Sequence, residues 1–235
     1  MKAGKNKTIL ITGTSRGIGK YLAEYYVHKG YKVAGCSRSP AGFKDKNYFH
    51  YKIDVSDEKQ VKYMVLDVAR KCKSIDILIN NAGTASMNHF ILTPRGTVYK
   101  LLEANFTGTF LFSREAAKIM MSGKWGRIIN FTTVAVPLRL EGETVYIATK
   151  SAIEALTRNL AKELAVFNIT CNAVGPAPIK TDLIKSVPQD KIKKIIDALA
   201  IKRFGKPEDV ANVSDFFINE KSDFVTGQII YLGGV

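Results

Sequence analysis

A glycine-rich turn directly after the first apolar run is the feature that most restricts how this chain can fold. The run at residues 8–11 has the composition of a buried strand, and Thr12-Gly13-Thr14-Ser15-Arg16-Gly17-Ile18-Gly19 follows it and opens a helical pattern. Glycines let a chain turn tightly, and they let backbone N–H groups at a helix N-terminus approach a phosphate. The arrangement therefore predicts a strand, turn and helix that bind the pyrophosphate of a dinucleotide.

Strand-like runs alternate with helical stretches along the whole chain. The strand-like runs lie at 8–11, 32–35, 51–53, 75–79, 127–131, 169–174 and 228–231. The helical stretches lie at 17–29, 59–72, 94–121, 145–166 and 207–218. This alternation predicts an α/β fold of the Rossmann type, with a doubly wound parallel sheet of about seven strands and helices on both faces.

The sequence contains no repeat, low-complexity tract or Pro/Ser-rich linker that would divide it. A hydrophobic composition of 46% over 235 residues suffices for one core, so we expect a single domain over residues 1–235. Residues 176–205 are irregular, because a Pro-rich stretch leads there into the basic segment 191–194. Ligands of open α/β sheets bind beyond the carboxyl ends of the strands, which makes 176–205 a predicted substrate loop. A plain pair of surface helices is the alternative.

The formal net charge of +14 at pH 7 raises the question of a nucleic-acid partner. The lysines are scattered, however, and they lack the interleaved aromatic residues of a single-strand binding surface. A solvated basic surface is the simpler interpretation, and it predicts no nucleic-acid partner. The alternative is attraction of anions, such as a phosphorylated cofactor or an acidic carrier protein.

The cysteines, the histidines and the N-terminus favour a cytoplasmic protein without metal. The three cysteines are odd in number and lack CxxC spacing, which predicts neither a disulfide framework nor a zinc cluster: Cys36, Cys72 and Cys171. The three histidines lack metal-ligand spacing and are expected at the surface: His28, His50 and His89. Residues 1–7 are basic, but the apolar run 9–11 is too short for a signal peptide or a membrane span.

The spacing of the glycines and the motifs that follow resemble the short-chain dehydrogenase/reductase family. Asp54-Val55 is similar to the family's adenine contact, and Asn80-Asn81-Ala82-Gly83 to the motif that ends its fourth strand. Further matching positions are Asn105, Thr133, Tyr146, Lys150, Pro176, Ile179 and Thr181. Turn, charge pattern and resemblance together imply a cofactor site made of Gly13, Ser15, Arg16, Gly17, Ile18, Gly19, Ser37, Arg38, Asp54, Val55, Asn81, Ala82, Gly83, Tyr146, Lys150, Pro176, Ile179 and Thr181.

The end of the second strand indicates which nicotinamide cofactor is bound. Enzymes that select NAD place a carboxylate there, which accepts a hydrogen bond from the ribose 2′-OH and repels a 2′-phosphate. Here the stretch reads Gly35-Cys36-Ser37-Arg38, without an acid. Arg38 and Arg16 together suit the oxygens of a 2′-phosphate, so NADP(H) is the predicted cofactor.

Tyr146 and Lys150 are the predicted proton-handling pair. They are four residues apart in a helical stretch and therefore share one face. A neighbouring ammonium favours the phenolate, so we expect Lys150 to lower the pKa of Tyr146. In a reduction, Tyr146 would give its proton to a ketone oxygen as a hydride arrives from the nicotinamide.

Two positions depart from the family pattern. The resemblance implies a serine that bonds the reacting oxygen, but this chain has Thr133 there, with Thr132 as a competing assignment. The usual Pro-Gly is replaced by Pro176-Ala177, which predicts a different backbone path under the nicotinamide. The family's water-mediated proton relay implies a role for Asn105. The alternative is a polar bridge that distorts the helix, and the two interpretations are compatible.

The resemblance is strongest to the 3-oxoacyl-carrier-protein reductases and implies an NADPH-dependent reduction of a ketone to a secondary alcohol. The substrate would be carried by an acidic carrier protein, with Lys124 as a docking candidate. Arg139, Glu141 and Glu143 favour a polar substrate instead, as in a sugar or secondary-alcohol dehydrogenase or a tailoring ketoreductase of polysaccharide or secondary-metabolite synthesis. A non-catalytic NADP-binding protein is a further alternative. The family resemblance implies a homo-oligomer, a dimer or a tetramer.

Overall fold

Seven parallel strands form one sheet in the structure, a computed structural model that describes residues 7–184 and 187–235. The strands are β1 (Thr8–Thr12), β2 (Lys32–Ser37), β3 (Tyr48–Lys52), β4 (Ile77–Asn80), β5 (Gly126–Phe131), β6 (Ile169–Gly175) and β7 (Ile229–Tyr231). Their order across the sheet is β3-β2-β1-β4-β5-β6-β7. The strand order reverses between β1 and β4, which opens a crevice at their carboxyl ends, and the predicted fold class is confirmed.

Helices cover both faces of the sheet. They are α1 (Gly17–His28), α2 (Glu58–Cys72), α3 (Arg95–Leu101), α4 (Gly108–Gly123), α5 (Ala135–Leu138), α6 (Thr144–Leu164), α7 (Gln189–Ala198) and α8 (Pro207–Ile218). Neighbouring residues of β1 point to opposite faces: Leu10 packs in a core with α2, α4 and α6, whereas Ile9 packs in a core with α1 and α8. Both faces are therefore buried, as the continuous apolar strands predict.

The stretch predicted as helical at 94–121 is helical over 95–123, but it is not a regular α-helix throughout. α3 and α4 are separated by a π-helix, Leu102–Thr107, in which the backbone makes a wider turn. Asn105 lies in this segment and is fully buried. Because a buried amide must find partners, the wider turn is where the helix accommodates a polar side chain that bonds outside the helix.

The predicted substrate loop, 176–205, leaves the sheet after β6 and carries α7. A single bridge between Ile179 and Gly205 closes its base. Residues 185–186 of this loop, like residues 1–6 of the basic N-terminus, lie outside the described residues. None of the helices in the described part is both long and apolar enough to cross a membrane.

Candidate active site

The glycine-rich turn brings the ends of β1, β2 and β4 into direct contact. Gly13 has φ +78°, and its N–H donates to the carbonyl of Cys36 at 2.8 Å. A Cβ on Gly13 would lie 2.9 Å from Cα of Ala82, and a Cβ on Gly19 would lie 2.3 Å from the carbonyl oxygen of Gly13. Side chains at either position would push the loops apart, which is the physical reason for these two glycines.

The loop after β4 is fastened to the same turn by side-chain hydrogen bonds. Nδ2 of Asn81 donates to the carbonyl of Thr12 at 2.9 Å, and the N–H of Ala82 donates to Oγ1 of Thr12 at 2.9 Å. The two predicted motifs thus form one unit. Their role is to hold the crevice between β1 and β4 at a fixed width.

The start of α1 fits a pyrophosphate. Arg16 is the N-cap residue, with extended backbone, and its side chain does not cap the helix. The first N–H groups of a helix lack intrahelical acceptors, and an anion at this end satisfies them. An uncapped helix start beside a turn that tolerates only glycines is the arrangement that a dinucleotide requires.

A cavity of about 510 Å³, which we call the cofactor cleft, lies over this turn. Most of the predicted cofactor residues line it: Gly13, Ser15, Arg16, Gly17, Ile18, Ser37, Arg38, Asp54, Val55, Asn81, Ala82, Gly83 and Thr181. Gly19 does not line the cleft but is buried beneath it. Lining residues that the sequence did not point out are Ser39, Pro40, Ile53, Ser56, Thr84, Lys100, Glu103, Ala104 and Asp182.

The two arginines predicted to recognise a 2′-phosphate both reach the cofactor cleft and are exposed. Arg16 also lies 3.7 Å from a carboxylate oxygen of Asp182 in the substrate loop. Asp54, at the other side of the cleft, accepts hydrogen bonds from the N–H and hydroxyl of Ser56. Its carboxylate is thus oriented by the chain itself, while Arg38 extends from the end of β2.

Of the histidines expected at the surface, His28 and His89 are exposed, but His50 is half-buried and the expectation was wrong for it. His50 lies on β3 behind the wall of the cofactor cleft, where it contacts the hydroxyl groups of Tyr48 and Ser37. No motif or spacing in the sequence predicts these contacts of His50. Only the parallel pairing of β2 with β3 brings it beside Ser37.

A second cavity of about 160 Å³, which we call the substrate pocket, is lined by all the predicted catalytic residues except Asn105. It shares wall residues with the cofactor cleft, so that the two cavities adjoin: Ile18, Asn81, Gly83, Thr84 and Thr181. Tyr146, Lys150 and Thr133 line the substrate pocket. Pro176 and Ile179 form its floor with other apolar residues, and the substrate loop adds Ile184, Val187, Ile192 and Ile195.

Tyr146 is buried in the first turns of α6, with 9% of its surface exposed. Burial raises its pKa above the ordinary value of a tyrosine, and the nearby carboxylate of Glu143 raises it further. A hydrogen bond with Thr133 acts in the opposite direction. The phenol is therefore protonated at neutral pH and able to donate a proton.

Lys150 lies one turn further along α6, 5% exposed, with its ammonium 6.0 Å from the ring centre of Tyr146. Nζ donates a hydrogen bond to the carbonyl of Phe131 at 2.8 Å. Burial lowers the pKa of Lys150 to about 8. The expectation that Lys150 lowers the pKa of Tyr146 does not hold for the chain alone, because burial dominates both groups.

The two neighbouring threonines have different partners. The hydroxyl of Thr133 accepts from the N–H of Ala135 at 3.2 Å and lowers the pKa of Tyr146. The hydroxyl of Thr132 donates to the buried carboxylate of Glu154 at 2.7 Å. The structure thus brings Thr133, rather than Thr132, to the phenol.

Asn105 lines neither cavity but lies directly behind them. Its Oδ1 accepts from the N–H of Thr84 at 2.8 Å, and its Nδ2 donates to the carbonyl of Thr84 and to the hydroxyl of Thr149, each at 3.0 Å. That hydroxyl in turn donates to the carbonyl of Tyr146 at 2.7 Å. Asn105 therefore links the loop after β4 to the helix that carries the catalytic pair.

Ala177 takes the place of the family's glycine without backbone strain. Within the described ranges, the non-glycine residues with positive φ are Lys73, Lys124, Arg139 and Asn168. Ala177 is not one of them, and its side chain is buried against Val134 and Leu199. The different backbone path therefore stays a prediction, and the alanine methyl group fills space that glycine would leave empty.

Glu143 is the one carboxylate in the described wall of the substrate pocket. It is the N-cap residue of α6 and is 9% exposed. Burial raises the pKa of its carboxyl group, and the positive charge of Lys191 lowers it. Among the described residues, no side chain or backbone N–H hydrogen-bonds to this carboxylate, which leaves its oxygens free for a ligand.

Comparison with known proteins shows the family of this chain. A family model described as Enoyl-(Acyl carrier protein) reductase matches residues 13–234. The 3-oxoacyl-(acyl-carrier-protein) reductase FabG of Buchnera aphidicola subsp. Schizaphis graminum is 34% identical over 236 residues, 98% of this chain and 97% of that protein. FabG of Aquifex aeolicus is 31% identical over 240 residues, with 98% and 97% covered.

Among solved structures, the ligand-free aldohexose dehydrogenase of Thermoplasma acidophilum is similar to this chain, with a TM-score of 0.88. It is 30% identical, and the match covers 98% of this chain and 94% of that chain. The match of the family model and the coverage of these relatives extend over the whole site described above. The chain is therefore an oxidoreductase that belongs to the short-chain dehydrogenase/reductase family.

Proposed function

We propose that this protein uses NADPH to reduce a ketone to a secondary alcohol, with Tyr146 as the acid. The observation that carries the proposal is a buried, protonated phenol, in a pocket that Thr133 also lines and that adjoins the cofactor cleft. A reducing enzyme needs a proton donor at the carbonyl oxygen, and a raised pKa keeps Tyr146 in the donating form.

The catalytic step places a proton and a hydride on the two ends of one C=O bond. NADPH, when bound, supplies the hydride to the carbonyl carbon. Tyr146 donates its proton to the oxygen, and Thr133 donates a second hydrogen bond that stabilises the developing negative charge. The ammonium of Lys150, held by the carbonyl of Phe131, then stabilises the phenolate until it is reprotonated.

Asn105 acts as a positioning residue in this proposal. Its amide holds Thr84 on one side and Thr149 on the other, so that the loop beside the cofactor cleft and α6 keep a fixed separation. A Cβ on Gly83 would lie 3.0 Å from Oδ1 of Asn105 and 3.5 Å from Nζ of Lys150, which shows how closely the three pack. A relay of protons from Lys150 towards solvent would pass this point.

The choice of NADPH over NADH rests on charge at the end of β2. Ser37-Arg38 brings a guanidinium where NAD-selective enzymes hold a carboxylate, and Arg16 lines the same cleft. Guanidinium groups form paired hydrogen bonds with phosphate oxygens. The remaining predicted residues would bind the pyrophosphate (Gly13, Ser15, Gly17, Ile18), the adenosine (Asp54, Val55) and the nicotinamide half (Asn81, Ala82, Gly83, Pro176, Ile179, Thr181). Gly19 would act indirectly, by leaving room for the backbone of the turn.

A 3-oxoacyl thioester is the substrate that the relatives suggest. The walls of the substrate pocket are mostly aliphatic, which suits an acyl chain, and FabG is named as a reductase of carrier-protein-bound 3-oxoacyl groups. The net charge of +14 would favour an acidic carrier protein. Lys124, just beyond α4, is a candidate contact.

A hydroxylated ketone or sugar is a second candidate, which Glu143 favours. Its free carboxylate would accept a hydrogen bond from a substrate hydroxyl, and a ligand without a donor would leave this buried acid unsatisfied. The structural neighbour that acts on aldohexoses supports the same class.

The test is oxidation of NADPH, and separately of NADH, by the purified protein with an acetoacetyl thioester, polar keto-sugars and simple diketones. NADPH-dependent turnover of the thioester supports the acyl reductase, and preference for a keto-sugar supports the second candidate. Glu143→Leu should lower kcat/KM for the hydroxylated ketone by roughly 10-fold and spare the thioester, with Glu143→Gln as the matched control. Tight NADPH binding without turnover of any ketone would favour a non-catalytic NADP-binding protein.

A further inference from the structure

A chain of hydrogen bonds runs behind the wall of the cofactor cleft, from the glycine-rich turn to the end of β2. The hydroxyl of Tyr48 lies 2.8 Å from Oγ1 of Thr14 and 2.9 Å from Nδ1 of His50. Nε2 of His50 lies 3.3 Å from Oγ of Ser37 and 3.0 Å from the carbonyl oxygen of Ser39. Three segments that are distant in sequence are joined in this way.

Gly35 makes room for this chain in the middle of β2. A Cβ at Gly35 would lie 2.3 Å from the hydroxyl of Tyr48 and 2.4 Å from Oγ1 of Thr14. Glycine weakens a strand interior, and its presence there marks a place where other groups approach the backbone closely. The sequence of β2 thus accommodates the contact between Tyr48 and Thr14.

The direction of the hydrogen bonds at His50 follows from its partners. A carbonyl oxygen only accepts, so the nitrogen that faces Ser39, Nε2, carries a hydrogen. The hydroxyl of Ser37 donates to the same carbonyl at 2.7 Å. Burial raises the pKa of Tyr48 to about 12, so its hydroxyl keeps its proton and remains a donor.

The carbonyl of Ser39 therefore receives hydrogen bonds from Ser37 and His50, and Arg38 lies between the two serines. Arg38 itself is exposed and lines the cleft with Ser37 and Ser39. A long exposed side chain loses conformational freedom when it binds a ligand, and a fixed backbone reduces that loss. The two donors to Ser39 supply such a fixed backbone.

We infer that His50 is a positioning residue for the 2′-phosphate of NADPH: through Nε2 it holds residues 37–39 so that Arg38 enters the cofactor cleft. This inference rests on the proposed preference for NADPH. NADH lacks the 2′-phosphate, and its binding depends on the glycine-rich turn rather than on Arg38. Loss of the His50 contact should therefore weaken NADPH binding and leave NADH binding almost unchanged.

The test compares His50→Gln with His50→Asn. Glutamine places its amide nitrogen near the position of Nε2 and keeps the donor to Ser39, whereas asparagine reaches only the position of Nδ1 and loses it. The Kd values of NADPH and NADH are measured for the purified full chain by fluorescence titration, without any ketone. We expect His50→Asn to raise the Kd of NADPH roughly 10-fold, as loss of one hydrogen bond would, and His50→Gln to stay close to the wild type.

The outcomes separate this inference from the proposed cofactor preference. Equal Kd values of NADPH and NADH for the wild type would overturn both. A wild-type preference that Arg38→Asp abolishes and His50→Asn leaves intact would overturn only the role of His50. An equal loss of NADPH and NADH binding in His50→Asn would mean that His50 only stabilises the fold, and would overturn the inference. Thermal unfolding of both His50 variants shows whether they are folded.

Discussion

The cofactor cleft and the substrate pocket adjoin, yet they are built in different ways. The cleft lies over backbone groups at the carboxyl ends of β1, β2 and β4, and its shape depends on close contacts of Gly13 and Gly19. The pocket is closed by side chains of the substrate loop, such as Ile192 and Ile195, which are only half-buried. Close backbone contacts restrict which residue types fit at a position of the cleft, whereas an aliphatic wall of the pocket accepts many residue types. The cleft is therefore the region that a sequence motif can specify.

The ionisable groups of the two regions also differ in their exposure to water. Arg16 and Arg38 are exposed in the cleft, where water screens them until a phosphate arrives. In the pocket, Tyr146, Lys150 and Glu143 are buried, and each has a shifted pKa. The proposed binding of the 2′-phosphate and the proposed proton transfer thus depend on different side chains, and variants of Arg38 should leave the proton transfer working.

The largest expected effect is that of Tyr146→Phe. Loss of the proton donor should lower kcat by roughly 10² to 10⁴-fold, the range for a general acid. The Kd of NADPH, measured by fluorescence titration, should stay almost the same, because the ring and its packing remain. A comparable loss of NADPH affinity would mean that the pocket and the cleft are one energetic unit.

Thr133→Val should follow, with a loss in kcat of about 10²-fold from one missing donor to the reacting oxygen. Thr132→Val is the matched control, since its hydroxyl serves Glu154. That control should lower the free energy of unfolding, measured with urea, and largely spare kcat. The reverse pattern would identify Thr132 as the residue that touches the substrate.

Arg38→Asp should change the cofactor preference without changing the chemistry. A carboxylate at this place repels a 2′-phosphate and accepts from a ribose hydroxyl, so the ratio of kcat/KM for NADPH to that for NADH should fall by about 10 to 100-fold. The KM of the ketone at saturating cofactor should not move. A changed KM would contradict the separation of the two regions.

The smallest expected effect is on stability and concerns Lys150. Its pKa is lowered from 10.5 to about 8, so below pH 8 the folded state bears the full cost of a buried ammonium, about 3 kcal/mol at 1.36 kcal/mol per unit. Between pH 8 and 10.5 the unfolded chain binds the proton more tightly, and stability rises with pH until the cost is gone.

Lys150→Met removes this cost together with the hydrogen bond to Phe131. At pH 7 the variant should be inactive but more stable than the wild type, by roughly 2 kcal/mol after about 1 kcal/mol for that bond is subtracted. The difference should shrink as pH rises above 8. Urea unfolding at pH 7 and pH 9.5 measures it, and a variant that is less stable at pH 7 would show that Lys150 stabilises the fold.

The sequence was sufficient for features that depend on backbone geometry or on strong periodicity. The seven strands lie close to their predicted positions, although β3, Tyr48–Lys52, begins three residues earlier than expected. The glycine-rich turn and the loop after β4 form the predicted crevice, because no residue but glycine fits at Gly13 and Gly19.

The sequence was insufficient where distant segments meet. His50 gave no signal, since its role depends on the pairing of β2 with β3 and on the space at Gly35. The pKa of Tyr146 was predicted in the wrong direction for the chain alone, because neighbours along a helix are visible in a sequence and burial is not. Only Asn105 indicated a distortion of the helix, and the bounds and type of the π-helix were not predicted.

The π-helix between α3 and α4 also limits how this chain can be recombined with its relatives. The extra residue of its wider turn sets how far α3 is rotated about the helix axis relative to α4. A chimaera that deletes one residue there could restore a regular helix and keep the apolar core. Asn105 would then turn by about 100° around the helix axis, away from Thr84 and Thr149. Crossover points for directed evolution therefore belong outside this segment.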